Sequence, residues 1–217
     1  MNKLIDHTFL KATGTKEDID KLLEEALEFN FKSVCVQPTW VSYVAESLKK
    51  SDVLTCTVIG FPLGANTTES KVYETLDALK KGADEIDMVA NIGWLLEGEF
   101  DKFAQEVKAL KETCQSHVLK VILETCYLDA KTISKASEKA FEAGADFVKT
   151  STGFGPSGAT VEAVKLMAAA ANGKGVKASG GVRTLADVEA MVAAGATRIG
   201  TSNGVTIIQG QEAKESY

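Results

Sequence analysis

Two lysines and one aspartate sit in stretches that otherwise hold small or apolar residues. Lys149 lies in Phe147-Val148-Lys149-Thr150-Ser151-Thr152-Gly153, Lys177 in Gly175-Val176-Lys177-Ala178, and Asp87 in Glu85-Ile86-Asp87-Met88. An amine attacks a carbonyl only when neutral, and a second cation nearby is one way to keep it so. Two ammonium groups held close destabilise each other's charged form, so the pair predicts that at least one lysine pKa falls. A carboxylate within reach moves the protons of the carbinolamine and enamine stages. Amine, second cation and carboxylate form a sufficient set for Schiff-base chemistry, with Lys149 as the nucleophile. Singly, each has a plainer reading. A lysine at a strand end is commonly solvated, and Asp87 alone suits a helix cap or a loop salt bridge.

A second constellation is rich in glycine. Ala178-Ser179-Gly180-Gly181-Val182-Arg183-Thr184 and Gly200-Thr201-Ser202-Asn203-Gly204 are of the type that brings backbone N–H groups up to an anion, and Gly-Gly is equally a turn signal. Gly153-Phe154-Gly155-Pro156-Ser157-Gly158 reads as a flap over the nucleophile or as a turn.

Placing these residues falls to short apolar runs that alternate with amphipathic stretches. Strands are expected at Leu4–Asp6, Ser33–Val36, Thr55–Ile59, Glu85–Met88, Leu119–Leu123, Phe147–Lys149, Gly175–Ala178 and Arg198–Gly200. Helices are expected from Thr15 to about Phe29, then near Glu69–Lys80, Phe100–Glu112, Lys131–Ala143, Thr160–Ala171 and Leu185–Ala193. A joint recurs: Gly82, Gly144 and Gly195 each sit where a helix ends in a left-handed residue before the next strand. Eight strands with helices between them predict a closed (β/α)8 barrel of the TIM type, in a single domain spanning 1–217 with a polar tail over 211–217. The competing architecture is an open doubly wound sheet. That fold usually carries a glycine-rich loop after its first strand, and here His7-Thr8-Phe9-Leu10 follows instead.

A barrel keeps its active site at the C-terminal ends of its strands, and its phosphate site commonly lies in the loops after strands seven and eight. Lys149, Lys177 and Asp87 are expected at three such ends, with Lys149 and Lys177 on neighbouring strands and Asp87 across the mouth. Side chains alternate along a strand, so Lys149 shares a face with Phe147, and Asp87 with Glu85, while Ile86 and Met88 face the helices.

Of the 217 residues, 45% are hydrophobic and 25% charged, with a formal net charge of -6. An acidic chain argues against nucleic acid as a partner. No apolar run is long enough to span a membrane, and the start lacks signal-peptide character, which predicts a cytoplasmic location. Cys35, Cys56, Cys114 and Cys126 lack metal-type spacing and read as free thiols, several of them buried. Cys35 ends strand two, facing the pocket or buried as a small hydrophobe. His7 and His117 show no triad or metal pattern; His7 reads as structural and His117 as exposed. Trp94 reads as packing.

In their order and spacing, Asp6-His7-Thr8-Phe9-Leu10, Glu85-Ile86-Asp87-Met88-Val89 with Asn91-Ile92-Gly93, the Lys149 segment and the run from Lys177 to Arg183 resemble the deoxyribose-phosphate aldolases over essentially the whole chain. The resemblance implies a metal-independent class I aldolase with no cofactor. It implies reversible cleavage of 2-deoxy-D-ribose 5-phosphate to D-glyceraldehyde 3-phosphate and acetaldehyde. It gives the Schiff base to Lys149, proton donation and acceptance to Asp87, and proton relay and pKa control to Lys177. Asp6 then supports the lysines, and Tyr217 reaches back toward the site. Phosphate contacts map to Gly153, Gly180, Gly181, Gly200 and Ser202, with Arg183 and Asn203 beside them. The chain departs from some relatives at Phe154, where they carry a lysine, and at Asn203, where they carry a serine. A homo-oligomer, a dimer first, is expected.

Three other readings compete. A transaldolase or keto-acid aldolase keeps Lys149 but changes substrate. A phosphate-isomerase barrel uses Asp87 as a base with no covalent step. A non-catalytic phosphosugar-binding protein needs neither.

Overall fold

Strands that read apolar on the face toward the helices need a continuous helical cover. The computed structural model, which describes residues 1–211, supplies it. Strands β1 (Ile5–Phe9), β2 (Ser33–Val36), β3 (Leu54–Ile59), β4 (Glu85–Val89), β5 (Val118–Ile122), β6 (Phe147–Lys149), β7 (Gly175–Ser179) and β8 (Arg198–Thr201) pair in parallel in sequence order, and β8 returns to β1. Asp6 stands opposite Gly200 in that last pairing, so the sheet is a closed (β/α)8 barrel and the open doubly wound alternative is excluded.

The helices are α1 (Lys16–Glu28), α2 (Val41–Leu48), α3 (Thr68–Lys80), α4 (Ile92–Glu97), α5 (Phe100–Cys114), α6 (Ala130–Glu142), α7 (Val161–Ala170), α8 (Leu185–Ala193) and α9 (Gly204–Ile208). Local chemistry explains their starts. Thr15 caps α1 and Thr184 caps α8, each in a reciprocal box with the aspartate three residues on. The recurring joint holds: Gly82, Gly144 and Gly195 have φ of 101°, 104° and 111°. The short helices α2, α4 and α9, at 8, 6 and 5 residues, are too brief to show a period in sequence.

The first strand differs from expectation. Residues Asn2–Leu4 form a 3-10 turn, and the strand runs on through His7, Thr8 and Phe9. Strands β4 and β7 each run one residue beyond the expected end, which places Asp87 and Lys177 third of five residues rather than third of four.

The layer between sheet and helices is apolar. Ile5, Val34, Ile86, Met88, Leu119, Val121, Val148 and Ile199 are fully buried there, each contributing about 2 kcal/mol of burial. The barrel interior is different. Asp6, Glu85, Asp87, Lys120, Lys177 and Arg198 fill positions that barrels of this kind usually give to branched apolar residues. Among the described residues, no helix is long and apolar enough to cross a membrane.

Candidate active site

Asp87 is the hub of the interior. Its Oδ2 accepts from Lys149 Nζ at 2.8 Å and from Lys177 Nζ at 2.8 Å, and its Oδ1 accepts from Lys120 Nζ at 2.7 Å. Lys177 Nζ also lies 2.5 Å from Asp6 Oδ2. Lys120 Nζ lies 2.7 Å from Glu85 Oε2. Arg198 joins the two outer carboxylates, 2.8 Å from Asp6 Oδ1 and 2.8 Å from Glu85 Oε2. Strand alternation accounts for the grouping. Asp87 pairs with Lys120, and Lys149 with Lys177, at matched positions on adjacent strands. Phe147 shares the inner face with Lys149 as expected, since its ring lies under the Arg198 guanidinium at 5.1 Å. Asp87, on β4, reaches across the barrel interior into direct contact with Lys149 on β6 and Lys177 on β7.

The electrostatics bear on the expectation that at least one of the two lysines has a lowered pKa. Lys177 is not that lysine. Burial alone does push Lys177 that way, but Asp6 and then Asp87 outweigh it and hold Lys177 above the usual lysine range. Lys120 follows the same logic, with Asp87 as its largest counterweight. Burial would raise the Asp87 carboxyl, yet Lys120, Lys149 and Lys177 hold it well below its ordinary value. The second carboxylate, Asp6, is the group that the simple count of two cations and one anion omitted.

Above this network a cavity of about 120 Å³ opens, and Lys149 is the member of the network that lines it. Its walls include Gly153, Gly180, Gly181, Arg183, Gly200, Ser202 and Asn203, so the glycine-rich loops and the strand-end lysine share one space. Thr8, Leu10, Thr152 and Phe154 complete that side. Gly180 and Gly181 have φ of 79° and 76°, a left-handed run that turns the backbone back over the cavity. Gly200 is a glycine for a second reason: a Cβ there would meet Lys177 Cε at 2.9 Å. Arg183 is exposed, and its backbone N–H donates to Asp187 Oδ2 at 2.9 Å. Asp87, Lys177 and Asp6 lie beneath the cavity rather than on its wall. Tyr217 lies outside the described residues.

Three residues of the network were missed in the sequence: Lys120, Glu85 and Arg198. Lys120 carried the clearest signal, a lysine inside Val118-Leu119-Lys120-Val121-Ile122. The remaining singled-out residues keep structural roles. His7 Nε2 meets Glu25 Oε2 at 2.7 Å and its ring packs on Phe31. His117 is exposed and Trp94 half-buried in α4. The four cysteines are free thiols; Cys35 is fully buried, beside Leu10, Cys56 and Val58. Cys35, Cys56 and Asp87 bring possible metal-binding atoms together, as do Asp6, Cys56 and Glu85. Lys120 already occupies both the Asp87 and the Glu85 carboxylates, so a cation at either place has to displace an ammonium.

A family model described as DeoC/LacD family aldolase matches residues 1–210. A Staphylococcus carnosus (strain TM300) protein named deoxyribose-phosphate aldolase is 56% identical over 216 residues, 99% of this chain and 98% of the relative. Deoxyribose-phosphate aldolase 1 of Staphylococcus aureus (strain MRSA252) is 58% identical over the same shares of the two chains. Among solved structures, the tetrameric deoxyribose phosphate aldolase from Aeropyrum pernix superposes with a TM-score of 0.86 at 37% identity, covering 96% of this chain and 89% of that one. The chain thus belongs to the deoxyribose-phosphate aldolase family within the DeoC/LacD aldolases, and it is an aldehyde-lyase that acts on a carbon–carbon bond.

Proposed function

We propose that the protein is a Schiff-base aldolase that reversibly cleaves 2-deoxy-D-ribose 5-phosphate to D-glyceraldehyde 3-phosphate and acetaldehyde, with Lys149 as the nucleophile. The observation that carries the reading is the position of Lys149: its amine is bonded to Asp87 below and faces the glycine-lined cavity above. The pattern of partners supports it. Three carboxylates, Asp6, Glu85 and Asp87, face four bases, Lys120, Lys149, Lys177 and Arg198. Lys149 meets one carboxylate, Asp87, and is the amine beside the cavity, where a carbonyl substrate can reach it.

The steps then balance. Lys149 Nζ adds to the C1 carbonyl of the open-chain sugar, and the carbinolamine hydroxyl leaves as water after taking a proton through Lys177 and Asp87. The C3 hydroxyl gives its proton to Asp87 as the C2–C3 bond breaks. The bonding pair moves into the iminium to form an enamine, and the three-carbon aldehyde phosphate departs. Protonation of the enamine at C2 and addition of water then release acetaldehyde and the free amine. The phosphate end sits among Gly153, Gly180, Gly181, Gly200 and Ser202, with Arg183 and Asn203 at the edge. Asp6 holds Lys177 in place.

Borohydride reduction with acetaldehyde tests the assignment. We expect an N-ethyl group on Lys149, located by peptide mass mapping. Cleavage without any trapped adduct would favour Asp87 acting as a base with no covalent step, and would sink the covalent reading. A homodimer and a cytoplasmic location remain part of the proposal. Light scattering of the purified chain checks the first and fractionation of the source cell the second.

A further inference from the structure

Glu124 follows β5, and none of its hydrogen bonds goes to the lysine–carboxylate network. Its backbone lies at φ 53°, ψ 62°, a left-handed conformation that glutamate rarely adopts, and the residue is 2% exposed. Strained backbone of this kind persists only where surrounding contacts over-determine it, and it gathers at functional sites. The contacts of Glu124 converge on one short segment. Thr152 N donates to Oε1 at 3.2 Å and to Oε2 at 3.3 Å, and the Thr152 hydroxyl donates to Oε2. With its proton committed there, Thr152 Oγ1 accepts from Phe154 N at 3.0 Å. Gly155 closes the wrap: a Cβ on it would lie 3.3 Å from Glu124 Cδ and 3.0 Å from Cys126 Sγ.

The segment 152–155 is therefore wound around one buried carboxylate. It is also the segment that brings Gly153 and Phe154 to the cavity wall. Phe154 does not collapse into the site; its ring stands edge-on to Phe61 at 5.2 Å. The backbone on either side of Glu124 is tied to the strand that ends in Lys149. Leu123 N donates to Lys149 O at 2.9 Å and Thr125 N to Thr150 O at 2.9 Å. The carboxylate is thus fixed relative to the nucleophile while it holds the loop that follows it.

We propose that Glu124 is a positioning residue that sets the segment from Thr152 to Gly155 over the cavity, and thereby sets the preference for a phosphorylated over an unphosphorylated deoxy sugar. The inference rests on the phosphate placement given under Proposed function. It assigns to Glu124 an effect mainly on the phosphate end, because its hydrogen bonds run to the loop, while Lys149 acts on it through charge without a hydrogen bond.

The test compares 2-deoxyribose 5-phosphate with 2-deoxyribose in the wild-type chain, Glu124→Gln and Glu124→Gly. The glycine variant relaxes the left-handed backbone, so it keeps the fold testable if the glutamine variant unfolds. We expect kcat/KM for the phosphorylated sugar to fall about tenfold in both variants, mainly through KM. The value for the unphosphorylated sugar stays within about twofold. Thr152→Val should produce the same loss, and combining it with Glu124→Gln should add little, as for two members of one contact. An equal fall for both sugars would reduce Glu124 to a support of the Lys149 strand and overturn the proposal. An unchanged preference in both variants would also overturn it. If the wild-type chain cleaves both sugars equally well, the phosphate placement itself fails and takes the proposal with it.

Discussion

Two buried sets of lysine and carboxylate lie on opposite sides of the barrel wall, and they behave in opposite ways. Outside, between α3 and α5, Lys71 Nζ lies 2.9 Å from Glu106 Oε2 and donates to Val89 O at 2.8 Å. Burial dominates there: it pulls Lys71 down and pushes Glu106 up, so both drift toward their neutral forms. Inside, the side chains are equally hidden, yet Lys177 and Lys120 are held above the ordinary range and Asp87 below it. The difference is how many opposite charges are in direct contact. Lys71 touches Glu106 alone, with Glu74 acting on it without an ion-pair contact, and this does not repay desolvation, whereas direct contacts converging on one carboxylate do. Burial alone thus does not decide whether a lysine is charged, and the inner set is built to keep its ions.

The largest expected effect follows from removing the one inner amine that faces the cavity. Lys149→Leu should lower cleavage by about 10⁴-fold or more, as loss of a covalent nucleophile does. The fold should survive, since Asp87 keeps Lys120 and Lys177 as partners. Steady-state turnover and circular dichroism together check this; turnover near the wild-type value would sink the nucleophile assignment. Asp87→Asn comes next. It strips the shared anion from three buried lysines, and should cost about 3–5 kcal/mol in denaturant unfolding besides the loss of activity. A variant as stable as the parent would break the contrast between the inner and outer sets.

These expectations mark what was legible in the sequence and what was not. Lys149, Lys177 and Asp87 were found because each interrupts a short apolar run, and the barrel was found because the helix-to-strand joint recurs at Gly82, Gly144 and Gly195. Arg198 was missed because its meaning depends on closure: Asp6, its partner, is 192 residues away and comes within reach only when β8 returns to β1. Lys120 was missed although it sits in a plain apolar strand, since no partner for it stands nearby in sequence. That Lys177 is raised rather than lowered depends on how closely Asp6 and Asp87 approach it, which the spacing of the two lysines does not show. Glu124 left no pattern at all; its left-handed backbone and its hold on Thr152 exist only in three dimensions.

The pH dependence of stability separates the two sets by sign. Asp87 has a folded carboxyl below its ordinary value of 3.8. Its contribution is therefore complete above that pH and is lost as pH falls through the folded value. Glu106 is the reverse. Its folded carboxyl lies above the ordinary 4.5, so the folded state binds the proton more tightly, and stability from this group fades as pH rises from 4.5 through the folded value. Glu106→Gln should remove that decline above pH 4.5. Denaturant midpoints measured across that range check it. A midpoint that falls just as steeply in the variant would mean that Glu106 is not the group responsible.

The smallest effect is expected where both members of the outer pair are replaced together. Lys71→Met with Glu106→Leu exchanges two poorly compensated polar groups for apolar ones of similar size. Replacing a whole buried pair costs far less than breaking it, because neither partner is left alone. The carbonyl of Val89 loses a donor, which costs about 1 kcal/mol, and the Thr68 hydroxyl and Asn91 N–H, in partly exposed residues, lose an acceptor at smaller cost. Stability should therefore stay within about 2 kcal/mol of the parent. The catalytic consequence is the sharper question, since Val89 lies two residues beyond Asp87 on β4. If the inner set positions Asp87 through Lys120, Lys149 and Lys177 alone, kcat changes by no more than about twofold, as for sites that share no partner. A tenfold fall in kcat with the fold intact would mean that the outer pair anchors the strand that carries Asp87, and that the two sets work as one.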